Sequence, residues 1–129
     1  MQTGSTELPR KPAPATGSDA VDAEHGIQLG LLEATQAAVA AGDASAQALM
    51  EQLHEYSQAH FMSEQLLMRL AARPNYQGHI DDHENLMQDL DRAAEFLAQG
   101  EHEQAAVRLQ AHEGNLLKHI RSWDRSIAD

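Results

Sequence analysis

Three short breakers govern what this chain can fold into. Gly42-Asp43, Arg73-Pro74-Asn75 and Gly100 cut it into four stretches, and each stretch repeats its apolar residues at helical spacing. Proline ends a helix because its ring fixes φ and removes a donor, and it pushes the preceding residue out of helical conformation. Helix one is expected from Ser18 or Asp19, both good N-caps, to about Ala41, with His25, Leu29, Leu32, Gln36 and Val39 inward. Helix two should run from about Ala44 to Ala72, with Asp43 able to cap it. Leu49, Leu53, Tyr56, His60, Glu64, Leu67, Met68 and Ala71 form its stripe. Helix three should run from about Tyr76 to Ala98 with Tyr76, His79, Ile80, His83, Met87, Leu90, Ala94 and Leu97 inward. Gly78 near its start predicts an irregular entry. Helix four should run from Glu101 or His102 to Ile127, through Ala105, Leu109, His112, Leu116, His119, Ile120 and Trp123. Connections this short make sequential helices antiparallel neighbours. The expected fold is all-α, an up-down-up-down antiparallel four-helix bundle over residues 19–129. Residues 1–18, with Pro9, Pro12 and Pro14, read as an extended or disordered N-terminal arm, either laid against the bundle or free.

Composition agrees. Ala, Leu, Gln and Glu dominate, and aromatics are only 4%, which favours helix over strand. A length of 129 residues suits one domain with a real core. The net charge of −11 argues against a nucleic-acid or anionic-membrane partner. With no cysteine, disulfides, thiolate zinc sites and iron–sulfur clusters are excluded. No apolar run approaches the roughly 20 residues of a membrane span, and the N-terminus lacks the apolar core of a secretory signal. A cytoplasmic setting is expected.

The inward stripes carry residues that a plain bundle would not bury. His60 and Glu64 are four apart, as are His79 and His83, so each pair stands on one helical face. His25 and His119 lie on the other two stripes. Asp124 follows His119 by five, about 140° around an α-helix, a poor chelate alone but usable between two metals. Buried carboxylates and imidazoles cost several kcal/mol unless paired or bound to metal. Five histidines and two carboxylates on four stripes, all able to face one central point, read as a metal cluster inside the bundle. Of the other histidines, His54 and His102 read as surface residues and His112 as a core residue or a support to a ligand.

The motifs Asp22-Ala23-Glu24-His25, Tyr56 through His60-Phe61-x-x-Glu64, His79-x-x-x-His83 and His119-Ile120 with Asp124 carry a resemblance. The chain resembles the hemerythrins, specifically the bacterial hemerythrin-like proteins, over about residues 20–127. The resemblance implies a non-haem di-iron centre with an oxo or hydroxo bridge. His79, His83 and His119 would bind one iron, His25 and His60 the other, and Glu64 and Asp124 would bridge both. That set leaves one position vacant, on the iron held only by His25 and His60. In the family, dioxygen binds there. Imidazole with carboxylate suits iron, though zinc could also occupy such ligands. Ferritin-like di-iron sites use four Glu instead, a pattern this chain lacks.

Phe61, Leu116 and Ile120 match the apolar wall the family places around the vacancy. Two positions depart from it: Gln28 stands where the family commonly has Leu, and Asn115 where it commonly has Trp. Trp123, on a different turn, does not obviously replace the latter. Either these positions tolerate polar residues near a wider entrance, or the site is more open to water and its oxygenated form decays faster. The second reading suits a sensor, or a protein handling peroxide or nitric oxide, better than a carrier. The leading expectation is a protein that binds dioxygen or another small diatomic molecule or anion, for transport, storage or sensing. The alternatives are an enzyme reducing peroxide or nitric oxide, a sensory module for a separate or fused output domain, and a bundle with structural zinc. No residue is assigned a catalytic role.

Overall fold

The computed structural model describes residues 9–124, apart from the side chain of Asp124. Four helices follow in order: α1 Asp19–Ala41, α2 Ala46–Leu70, α3 Tyr76–Ala98 and α4 His102–His119, the last continuing into a π-turn, Ile120–Asp124. Each of α1 and α3 packs on both α2 and α4, the ring of contacts an up-and-down bundle makes. No strand occurs among the described residues. No helix among them is long and apolar enough to cross a membrane.

Local chemistry sets the ends. The Ser18 hydroxyl accepts from the Val21 N–H at 3.3 Å and caps α1. Gly42 ends it in the left-handed region at φ 63°, where L side chains are strained. Helix α2 is shorter than the sequence suggests at both ends. Asp43 does not cap it directly; its carboxylate accepts from the Ser45 N–H at 2.8 Å, and the resulting turn delays the helix to Ala46. At the other end Ala72 turns left-handed at φ 50° and the Arg73 N–H returns to the Met68 carbonyl, so α2 stops at Leu70, four residues ahead of Pro74. Helix α3 runs regularly through Gly78 rather than entering irregularly. A Cβ there would lie 2.9 Å from the Trp123 ring, so this glycine makes room for Trp123.

The core is built from Leu29 and Leu32, Met50 and Leu53, Leu86 and Leu90, and Leu109 and Leu116, all at most 2% exposed. Leu67, expected inward, is instead 45% exposed, and Ala71 is exposed too. Met50, Ser57 and Phe61 fill the inner face of α2 in addition to the expected residues.

Residues 9–18 lie along α1. The Lys11 N–H donates to the Gly26 carbonyl at 3.0 Å, and Thr16 donates to Asp22 through both its N–H (2.9 Å) and its hydroxyl (2.6 Å). The Lys11 ammonium meets Glu33 at 3.0 Å and Glu113 at 3.6 Å. A Cβ on Gly30 would fall 2.4 Å from the Pro9 carbonyl, so the close approach of this segment requires glycine there.

Candidate metal centre

Helical repetition brings the chemistry to one end of the bundle. His25 on α1, His60 and Glu64 on α2, His79 and His83 on α3 and His119 on α4 are all at most 3% exposed. Glu64 is their common partner, and its two oxygens divide the imidazoles between them. Oε2 lies 3.1 Å from His25 Nε2 and 2.9 Å from His60 Nε2. Oε1 lies 3.0 Å from His83 Nε2 and 3.9 Å from both His79 Nε2 and His119 Nε2. The rings of His79, His83 and His119 have centroids 4.6–4.8 Å apart, and those of His25 and His60 are 4.8 Å apart. Two sets of donors result, one of two imidazoles and one of three, sharing one carboxylate; within each, the ligand atoms lie within 4.8 Å of one another.

Carboxylates on neighbouring helices fix which ring nitrogen faces inward. His60 Nδ1 donates to Glu24 at 2.7 Å, and His119 Nδ1 donates to Asp82 at 2.6 Å. An ionised carboxylate only accepts, so Nδ1 carries a proton and Nε2 is the nitrogen that faces the centre. The side-chain amide nitrogen of Gln65 sits 3.2 Å from His83 Nδ1 and donates to it, so this contact holds the ring in place without putting the proton on Nδ1. The sequence reading missed all three. Its one available signal was position: Glu24 and Asp82 each precede a candidate ligand, yet serve a histidine on another helix.

These donors fit a metal cation. The contact between His60 Nε2 and Glu64 Oε2 lacks hydrogen-bond geometry although both atoms are buried. Two lone pairs at that distance repel unless a positive charge stands between them. Burial opposes charge on His60, but Glu24 and Glu64 outweigh it and raise its pKa to about 9. Burial likewise opposes charge on Glu64, and the imidazoles of His119, His25, His60 and His83 override it, holding its carboxyl well below the usual range. Burial moves His83 the other way, toward neutrality. Without a metal, the proton on His60 supplies the positive charge beside an ionised Glu64, and a metal bound at Nε2 would take that proton's place. The Nε2-and-carboxylate donor set suits iron, zinc, copper or nickel rather than magnesium or calcium.

Phe61 lies against this cluster. Phe61 stacks on His83 at 4.3 Å and lies 5.7 Å from His60 and 5.9 Å from His119. Phe61, Leu116 and Ile120 are at most 2% exposed. Trp123 packs 5.4 Å from His79. Gln28 is fully buried; its amide donates to Ser57 at 3.2 Å and its oxygen has no hydrogen-bond partner. Asn115 is separate from the buried cluster. It is exposed, bonds Asp89 at 3.2 Å, and lines a cleft of about 440 Å³ whose inner wall includes Asp82 and His119.

The assignment of Asp124 as a ligand lies outside the described residues, because its side chain is among those not described. Its backbone ends the π-turn that begins at Ile120. Hydrogen bonds in a π-turn link residues five apart, which brings such positions round toward one face, whereas an α-helix separates them by about 140°. His54 bonds Asp91 at 2.8 Å and His102 faces the Gly100 carbonyl at 3.1 Å, both at the surface. His112 is fully buried, and neither ring nitrogen makes a hydrogen bond.

Residues 16–129 match the family model described as the hemerythrin HHE cation binding domain. No curated protein and no solved structure matches the chain. The match covers most of the chain, and its cation-binding description agrees with the His/Glu cluster at the end of the bundle, so the chain belongs to the hemerythrin HHE cation-binding family.

Proposed function

We propose that this protein binds dioxygen at a non-haem centre of two iron ions, for oxygen binding, storage or transport, or for sensing oxygen. The observation that carries this reading is the unequal division of imidazoles by Glu64: His25 and His60 on one oxygen, His79, His83 and His119 on the other. With one carboxylate shared, the two-histidine side has fewer protein donors, so the open position for a small ligand belongs there. When bound, the metal pair supplies the electrons and the Lewis acidity that ligand binding requires. The chain does the rest. Glu24, Asp82 and Gln65 hold the imidazoles in orientation, as partners of metal-bound histidines generally do. Phe61, Leu116 and Ile120 keep the site dry and small, which excludes bulky ligands and strengthens electrostatic contacts. Asp124, five residues after His119, is the candidate for a second bridging carboxylate.

Gln28 supports a second reading, turnover of hydrogen peroxide or nitric oxide at the same centre. Its buried amide oxygen lacks a partner, and a ligand that donates a hydrogen bond, such as hydrogen peroxide, would satisfy it.

The test is the absorption spectrum of the reduced, iron-loaded protein before and after exposure to air. Near-ultraviolet and visible bands that appear in air and fade on degassing are the expected result. Bands that appear and persist, with steady turnover of peroxide or nitric oxide when a reductant is supplied, favour the enzyme. Failure to take up stoichiometric iron, or no spectral response to air, contradicts both.

A further inference from the structure

The cleft between α3 and the end of α4 touches the metal centre but is not made of its ligands. Its volume of about 440 Å³ falls in the range of small-molecule sites. Its inner wall includes His119, which is 1% exposed, and Asp82, which accepts from His119 Nδ1 at 2.6 Å. Trp123 also lines it, and the Trp123 ring packs 5.4 Å from the ring of His79. Two of the three imidazoles grouped on one Glu64 oxygen are therefore within one contact of the cleft.

The other lining groups select what can enter. Asp82 uses Oδ2 on His119 and Asp89 uses Oδ2 on Asn115, which leaves the Oδ1 of each to accept from a ligand. Ionised carboxylates only accept, so a ligand that reaches them has to donate. Lys118 on the same cleft disfavours a cation, and the net charge of −11 disfavours an anion. The indole of Trp123 favours a flat ring. A neutral aromatic molecule with two hydroxyl groups meets all these conditions, and molecules of that class are two-electron reductants.

We infer that this cleft binds a neutral dihydroxyaromatic reductant of the hydroquinone class, whose electrons reach the centre through His119. The electron route rests on the two-iron reading given under the proposed function. Oxidation to the quinone breaks two O–H bonds. It releases two electrons, one for each ferric ion reduced to ferrous, and two protons that pass to water in the open cleft. The reductant approaches the three-imidazole side and the small ligand the two-imidazole side, so neither blocks the other.

Titration of the metal-free full chain with hydroquinone under argon, followed by NMR, tests the site without iron. Trp123 is the only tryptophan, so a single indole N–H signal reports on the cleft. A saturable shift of that signal with a Kd of about 1 mM or tighter is expected. Asn115→Phe, at an exposed position lining the cleft, fills the space and should weaken binding by about tenfold or more. Val107→Phe, at a 66% exposed residue of α4 outside the cleft, should leave binding unchanged. Asp89→Ala removes one acceptor and should weaken binding by about tenfold, a second readout if Asn115→Phe misfolds. In the ferric, iron-loaded chain the rate of reduction should saturate at the same hydroquinone concentration and fall about tenfold in Asn115→Phe. No saturable shift up to about 10 mM, well above a millimolar Kd, would overturn the inference. So would binding unchanged in both folded cleft variants, or a reduction rate that never saturates and ignores Asn115→Phe. A chain that binds hydroquinone but no iron overturns the two-iron reading and the electron route with it, whereas a chain that binds iron but not hydroquinone overturns this inference alone.

Discussion

At one end of the bundle Leu53, Leu90 and Leu109 are fully buried in the apolar core; at the other His25, His79 and Glu64 are buried as deeply and face one another. The same four helices supply both ends. The apolar end gains free energy as the chain folds, through removal of hydrocarbon from water. The polar end concentrates a carboxylate and five imidazoles where water cannot compensate them, so much of its stability has to come from a cation. The difference teaches that burial alone does not identify a core. What matters is whether the buried groups satisfy one another without help.

Glu64→Ala breaks this comparison most strongly, because it removes the only described group that touches all five imidazoles. Metal present at about a thousandfold its Kd stabilises a protein by about 4 kcal/mol. In this variant that gain should vanish, so that melting curves with and without chelator coincide, whereas they differ widely for the wild type. Leu53→Ala acts on the other end. It should cost about 2–5 kcal/mol in urea unfolding, from lost transfer energy and the cavity left behind. Its metal stoichiometry should stay unchanged, and loss of metal would show that the two ends are not separable.

His112 belongs to the apolar end but carries a titratable ring. Burial lowers its pKa from 6.5 to about 4, against the opposing pull of Asp89. The folded state therefore refuses a proton that the unfolded chain accepts. Its contribution is complete above pH 6.5 and is lost as pH falls toward 4, to a total of about 3 kcal/mol. With chelator present in both samples, His112→Leu should flatten this acid loss of stability relative to wild type; parallel pH profiles would place the loss elsewhere. The smallest effects should come from the orienting carboxylates. Asp82→Asn and Glu24→Gln should each weaken metal binding by about tenfold to a hundredfold, with little change in the stability of the chelated protein. Unchanged affinity in competition titrations would mean that the imidazoles orient themselves.

Much of the apolar end was legible in the sequence, because period and breakers are local properties. Gly42, Pro74 and Gly100 bound the helices within a few residues, and α1 and α3 run where their caps and stripes put them. Leu67 was misplaced because its helical position lies near the edge of the stripe, where spacing cannot decide between core and surface. The polar end was legible as a set of residues, since His25, His60, Glu64, His79, His83 and His119 all interrupt apolar stripes. What spacing could not provide was their arrangement around Glu64, or the reach of Glu24 and Asp82 to rings on other helices, since both depend on how helices pack. The close approach of residues 9–18 to Gly26 and Gly30 is hidden for the same reason.

Glu64 divides the imidazoles into two sets, each able to hold a metal ion. Anaerobic titration of the chelator-stripped protein with ferrous iron, read by calorimetry and by elemental analysis after desalting, tests that division most directly. Two irons per chain are expected for the wild type. A stoichiometry of one iron per chain, or none, would contradict it.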